Sequence, residues 1–449
     1  MPPKISLFSL VLLVVAAIDS IRNLPATALF GSSVIFFFIL AAIVFLIPLS
    51  MLAAELSSRY PDHGGVFHWV RHAFGEKVAL FAIWLQWINT MVWYPTILSF
   101  IAGTAAYLYD PTLAQSRGFL MAIILIVFWG LTLLNFKGVH VSVKLNAVCA
   151  MLGLMIPMTL LIALGIAWMV SDQPLQIQFG VRELFPSLAG AENWVSLIAI
   201  MSSFLGMELA GVHVTDIHNP QKNFPKAMGI SVVLLLSTMI LGALSIAVVI
   251  PRGQIHLVDG IMQTFTQFLA AFHLAWLIPI LTLLIIVGSI GGMINWLISP
   301  AKGLLQAAEY QFLPRYFTQV NRQGVPTRLL IVQAVLVSLF SLLITFTPSI
   351  NAFYWFLTDL STELYMIMYV VLFMAALKLG RPKGVGAYQI PKGLRHLVCW
   401  LGICGACLTI IVGYFPPTGI NVGSALHYAL WIGVGNLVLI APVLLLKRR

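Results

Sequence analysis

Ser202-Ser203-Phe204-Leu205-Gly206-Met207-Glu208 sits inside a long apolar stretch that continues through Thr215-Asp216-Ile217-His218-Asn219-Pro220 to Pro225. A carboxylate beside a glycine is costly in a segment of hydrocarbon-crossing length, so this stretch reads as a functional site within a membrane helix. Transport is the activity that such a site first suggests.

Composition agrees with a membrane setting. Of 449 residues, 60% are hydrophobic and 8% charged, with a mean hydropathy of +1.00. That leaves too little polar surface to cover a soluble globule. Apolar runs of about 20 residues alternate with short polar loops, and in lipid such runs must be helices because each has to satisfy its own backbone. About twelve are predicted, starting near Ser6, Val34, Val78, Gly118, Val139, Trp194, Phe224, Ala275, Thr327, Phe353, Leu397 and His427. The expected fold class is an all-α membrane protein with about twelve transmembrane helices.

A formal charge of +10 could indicate nucleic acid, but its distribution does not. With the amino terminus in the cytoplasm, twenty of the 24 Lys and Arg residues fall on or beside the cytoplasmic side. Arg117, Arg182 and Arg252 fall outside, and Arg22 lies within a helix. The positive-inside rule then puts both termini in the cytoplasm of a multi-pass protein, and the basic balance reports topology and anionic lipid. The bilayer is the expected partner, and nucleic acid is not. Oligomeric state is open.

Cys149, Cys399, Cys404 and Cys407 all lie in apolar sequence, which argues against a disulfide framework. The first apolar run lacks a small-residue cleavage site and leads directly into further runs, so it is read as a helix and not as a removable signal.

Four parts are expected along the chain. Residues 1–170 hold helices one to five, 171–193 form an extracellular connection, and 194–378 hold helices six to ten. A Gly/Pro/basic loop opens the last part, 379–449, which adds two helices. Five plus five plus two suggests inverted repeats with an appended pair. In that scheme the first helix of each half is the interrupted one. Ile18-Asp19-Ser20-Ile21-Arg22-Asn23-Leu24-Pro25 breaks the first run with two charges and a proline, which removes a backbone donor and disfavours helix at Leu24. The sixth run breaks at Ser202 to Gly206. Matched interruptions point to a central transport site, with a kinked packing helix and a snorkelling Arg22 as the plainer reading.

Pro48-Leu49-Ser50-Met51-Leu52-Ala53-Ala54-Glu55-Leu56, Tyr60-Pro61-Asp62-His63-Gly64-Gly65-Val66-Phe67-His68-Trp69-Val70 and Ala73-Phe74-Gly75 resemble the second-helix and loop signature of the amino acid/polyamine/organocation transporters. Gly206-Met207-Glu208, Asn219-Pro220 and Pro225-Lys226-Ala227 resemble the sixth-helix signature of the same superfamily. More narrowly, Ala247 to Pro251, Gly260 to Phe265, Pro300 to Leu304, Leu313-Pro314 and Gly324-Val325-Pro326 are similar to the bacterial glutamate/γ-aminobutyrate antiporters. The resemblance implies a twelve-helix, LeuT-like fold of five-plus-five inverted repeats in a bacterial inner membrane, exchanging amino acids with no covalent reaction and no cofactor. Asp19 and Ser20 depart from the family's glycines, and Arg22 stands where an aromatic residue is expected. The chain ends at Leu446-Lys447-Arg448-Arg449 without the family's long carboxy-terminal segment, so acid gating by such a segment is not expected.

An amino acid zwitterion inside the membrane needs amide donors or a cation for its carboxylate, and carbonyls, hydroxyls or a carboxylate for its ammonium. Broken helices supply both ends. The expected substrate-binding residues are Ile18, Asp19, Ser20, Ile21 and Arg22 in the first break and Ser202, Ser203, Phe204 and Gly206 in the second. Glu208 is expected to couple protonation to the cycle, and Asp359 and Glu363 to serve in coupling or gating. Arg22 either binds an acidic substrate group or pairs with Asp359 or Glu363 as a gate. Four acids, Asp19, Glu208, Asp359 and Glu363, against one arginine imply a proton or another cation among them.

Trp84, Trp87, Trp93 and Tyr94 are pocket or packing aromatics, and Tyr354 and Trp355 form a lid or an interfacial belt. His68 and His72 have ligand-like spacing, but nothing completes a metal set. No phosphate-binding loop or nucleophile elbow is present, so neither ATP-driven transport nor catalysis is expected. Three activities remain: amino acid antiport, proton-coupled uptake of a cationic or neutral amino acid, and a sensor on a transporter scaffold.

Overall fold

Hydrocarbon offers no partner to a free amide or carbonyl, and helices joined by turns are the form the chain takes. A computed structural model describes residues 6–60, 65–136, 149, 151–186, 194, 197–209, 217, 219–308, 312, 314, 316–317, 319–380, 388–417 and 419–446. In order the α-helices are α1 Leu7–Ile18, α2 Leu24–Ala28, α3 Val34–Ala41, α4 Ile47–Arg59, α5 Val66–Phe74, α6 Glu76–Ala106, α7 Arg117–Phe136, α8 Ile156–Val170 and α9 Val181–Leu184. They continue as α10 Leu197–Ser202, α11 Pro220–Ala247, α12 Gly260–Ala271, α13 Ile278–Ala308, α14 Thr327–Ser341, α15 Ile350–Leu379, α16 Lys392–Gly413 and α17 Ala425–Leu445. The expected start of a fifth helix near Val139, the Pro61 to Gly64 part of the second-helix signature and the centre of the 379–392 loop lie outside the described residues.

Nine segments among the described residues are long and apolar enough to cross a membrane, from Gly31–Arg59 to Ala425–Leu445. Twelve are not reached on that criterion, for a physical reason. α1 has 12 residues because its run is interrupted at Asp19, and α10, described from Leu197, ends at Ser202 where the second interruption begins. α6 is 31 residues long, about 46 Å at 1.5 Å per residue, but Gln86, Asn89, Thr90 and Thr96 on its buried surface lower its average apolarity.

α6 and α15 form the centre of the bundle and pack along each other. Gln86 donates to Tyr365 (3.1 Å) and Ser361 donates to Asn89 (2.8 Å), while Thr96 and Tyr354 meet through Arg22. Rising numbers on α6 face falling numbers on α15, so the two helices are antiparallel. On the far side of α15, α16 packs closely because Gly402 faces Phe373, where a Cβ would collide with the ring. Gly153 and Gly288 bring two helices into backbone contact in the same way, the close approach by which small residues hold membrane helices together.

The end of α15 is tied down by two arginines. Arg59 donates to the carbonyls of Leu379 and Gly380 (both 3.0 Å), and Arg395 donates to Ala376 (2.6 Å). Arg395 Nε also pairs with Glu55 Oε1 at 2.9 Å, both side chains being buried, and Glu55 Oε2 accepts from the Ile390 amide at 2.9 Å. One carboxylate thereby joins α4, the segment before α16 and α16 itself. At another loop, Asp259 accepts from Tyr107 (2.9 Å) and Gln115 (3.0 Å) and lies 3.2 Å from His256. Asn351 holds the same loop to α15 through Leu257 N and Ile255 O.

Two predictions follow from these anchors. Arg395→Ala leaves a buried carboxylate without its partner and should cost about 3 to 5 kcal/mol, whereas Glu55→Leu with Arg395→Leu should cost less. Thermal unfolding in detergent tests this, and a double variant weaker than Arg395→Ala would contradict it. The hydrogen bond to Asp259 raises the His256 pKa against partial burial. A raised folded value stabilises fully below the unfolded value of about 6.5 and is lost as pH rises through the folded value. The stability difference between wild type and His256→Gln should therefore be largest below about pH 6.5, at about 1 kcal/mol or less because the histidine is partly exposed while Asp259 is buried, and should fade as pH rises above that value.

Candidate functional site

α1 ends at Ile18, and Asp19 and Ser20 continue in extended conformation. A single 3-10 turn, Ile21–Asn23, and the short α2 follow, with Pro25 in the first turn of α2, where a missing N–H costs nothing. The second break follows α10. Ser203 to Gly206 form a turn with Gly206 at φ +98°, a left-handed value that glycine adopts without strain. The Gly206 amide, freed from the helix, is accepted by Tyr369 Oη at 2.9 Å.

Aromatic side chains bridge the two breaks. The Arg22 guanidinium lies 5.0 Å from the centroid of Trp93, Trp93 lies 5.5 Å from Trp296, and a Cβ on Gly206 would touch the Trp296 ring at 3.5 Å. Tyr94 Oη fixes the backbone there by donating to Trp296 O at 2.5 Å. Arg22 is buried and donates through Nη1 to Thr96 (2.7 Å) and Tyr354 (3.3 Å), while its Nε has no hydrogen-bond partner. Arg22 thus belongs to the turn after the break and not to the first helix.

Glu208 lies just past the second break and is fully buried. It accepts from Tyr369 (2.5 Å), Tyr365 (2.7 Å) and Gln86 (3.1 Å). Tyr369 therefore links the Gly206 amide to the carboxylate through one hydroxyl. Saturated in this way, Glu208 is a neighbour of the second break and not an open ligand.

The other expected residues divide. Asp19 accepts from Thr238 of α11 at 2.8 Å and keeps Oδ1 free. Ser202 and Ser203 both donate to Ala199 O, at 2.8 and 2.9 Å, so their hydroxyls serve the helix end. Phe204 packs edge-on to Phe38 at 5.8 Å. Ile18 and Ile21 are buried, and Ser20 is half-buried. Asp359 and Glu363 do not meet Arg22. Tyr428 donates to Asp359 at 2.5 Å and Asn436 donates to Glu363, both from α17. At about 100° per residue, these acids lie on the side of α15 opposite Tyr354, Ser361, Tyr365 and Tyr369. The four acids read as one cluster in the sequence thus occupy three places, with Asp359 and Glu363 together and Asp19 and Glu208 each apart.

Tyr354 turns out to contact Arg22 and not a membrane surface. His72 Nδ1 meets the His68 carbonyl at 2.7 Å, and among the described residues no group of three or more His, Cys, Asp or Glu could hold a metal. Trp296, Thr96, Gln86, Tyr365 and Tyr369 were not foreseen. A signal for the tyrosines exists, since Tyr354, Ser361, Tyr365 and Tyr369 recur at helical spacing in an otherwise apolar helix.

A family model described as amino acid permease matches residues 5–437. An uncharacterized transporter of Legionella pneumophila is 36% identical over 439 residues, covering 97% of this chain and 94% of the relative. A glutamate/γ-aminobutyrate antiporter of Lactococcus lactis is 27% identical over 426 residues, covering 93% and 85%. A probable agmatine/putrescine antiporter of the same species is 23% identical over 380 residues, covering 84% and 79%. The match across nearly the whole chain, with the breaks and Glu208 inside it, means that this chain belongs to the amino acid permease family of the amino acid/polyamine/organocation transporters.

Proposed function

We propose that this protein exchanges amino acids across a bacterial inner membrane by alternating access, with the substrate held between the breaks at Ile18 to Arg22 and Ser202 to Gly206. The observation that carries this reading is the Arg22–Trp93–Trp296–Gly206 chain of contacts between the breaks. An interrupted helix offers donors at one half-helix end and acceptors at the other, which suits a zwitterion. The reading keeps the twelve-helix scheme of residues 1–170, 171–193, 194–378 and 379–449, with inverted repeats and both termini in the cytoplasm.

Charge narrows the substrate. The relatives' names cover an acidic amino acid and dicationic amines. Arg22 favours the former, because its buried guanidinium has an unused Nε and donates only to neutral hydroxyls. A substrate carboxylate would supply the missing negative charge and accept the fork that now meets Thr96 and Tyr354. Arg22 accordingly acts as a substrate clamp, and Glu208 as the group whose protonation follows the cycle.

In liposomes loaded with labelled glutamate, external glutamate or γ-aminobutyrate should speed the release of label. If folded protein shows no acceleration with any common amino acid, the proposal fails. Arg22→Lys keeps the charge but loses the fork, and should weaken acidic substrates by roughly 10-fold or more, a loss of about 1.5 to 3 kcal/mol. Equal weakening of neutral substrates would instead make Arg22 a structural residue.

Glu208→Gln should retain binding and lose the pH dependence of turnover. Its amide can satisfy only some of the three donors now aimed at it, so a moderate fall in stability, about 1 to 3 kcal/mol, should accompany the change. A pH profile identical to wild type would remove the coupling role.

A further inference from the structure

Asp359 and Glu363 stand one turn apart on α15, turned away from Arg22 and Glu208. Both are fully buried. Each carboxylate has one oxygen occupied, Asp359 by Tyr428 and Glu363 by Asn436. The remaining oxygens, Asp359 Oδ1 and Glu363 Oε1, have no hydrogen-bond partner, nor does Oδ1 of the buried Asn436. Both free carboxylate oxygens converge on Gly413 of α16, where a Cβ would fall 2.7 Å from Asp359 Oδ1 and closer still to Glu363 Oε1. Among the described residues, no Lys, Arg or His forms an ion pair with either acid.

We propose that Asp359 and Glu363 share one proton across the space left by Gly413, forming a proton-binding site at the junction of α15, α16 and α17 that is separate from the substrate cleft. Two negative charges a few ångströms apart in an apolar interior cannot both persist without a positive partner. A proton needs only the two facing oxygens, whereas a hard divalent cation takes about six or more oxygen ligands, against the three unpartnered oxygens of Asp359, Glu363 and Asn436 here. The groups facing the pair are Tyr428 and Asn436 of α17 and Tyr414 at the end of α16. α6, on the other face of α15, contributes Asn89, which is bonded to Ser361. Because α16 and α17 both close on this pair, its protonation is set to govern how they pack against α15. The effect on transport rests on the exchange reading above, whereas the proton site itself does not.

Infrared spectroscopy of the full-length protein in liposomes tests the site directly. The spectrum of wild type minus Asp359→Asn/Glu363→Gln should contain a protonated-carboxyl band at neutral pH that shifts in D2O and is unaffected by exchanging Na+ for K+ or choline. Absence of the band from protein with normal thermal unfolding would overturn the proposal. A band that disappears when Na+ is added would overturn it in favour of a metal cation site. In exchange assays, each single variant should keep its substrate preference and change the pH profile, with at least a several-fold difference in the wild-type to variant ratio between acidic and neutral pH. A fall in rate that is equal at every pH would assign the pair to packing and overturn its coupling to transport. If wild type exchanges nothing, the transport reading fails and the infrared result still decides the site.

Discussion

The need to satisfy every polar group from within the protein governs this molecule, and the two broken helices are where that need is hardest to meet. Interrupting a helix in hydrocarbon strands amides and carbonyls that an intact helix would pair. At the second break the structure answers with Tyr369, whose hydroxyl accepts from the Gly206 amide and donates to Glu208. Tyr365 and Gln86 supply the carboxylate's other donors. Removing any member would leave a neighbour unpaired, so the network holds α6, α15 and the break in one arrangement.

α15 distributes the polar chemistry by helical phase. One face carries Tyr354, Ser361, Tyr365 and Tyr369 toward α6, Arg22 and Glu208, and the other carries Asp359 and Glu363 toward α16 and α17. A single helix therefore touches the residues around both breaks and an acid pair at once. Any displacement of α15 that accompanies movement of the breaks would be felt at Gly413, because the acids there have no spare room.

Much of this was legible from the residues. Apolar runs with few charges required membrane helices, and Asp19-Ser20 with Pro25, like Ser202 to Gly206, marked the interruptions in advance. Glu208 was conspicuous because a carboxylate is expensive in such a run. Its partners were less so, since Tyr, Gln and Trp in apolar helices also serve as packing and interfacial residues. Trp296 gave no local sign of its place against Gly206, a contact between positions 90 residues apart in the chain.

The sequence by itself determined the membrane class, the helical form and the positions of the breaks, because these follow from local apolarity, proline and glycine chemistry and the cost of charge in lipid. Only the tertiary structure decided which acids are neighbours. Asp359 and Glu363 are i and i+4 on any helix, but whether that face meets Arg22 or Gly413 depends on the rotation of α15 against α6 and α16. That rotation is set by packing contacts such as Gly402 on Phe373 and Gln86 on Tyr365, which join residues far apart in the chain.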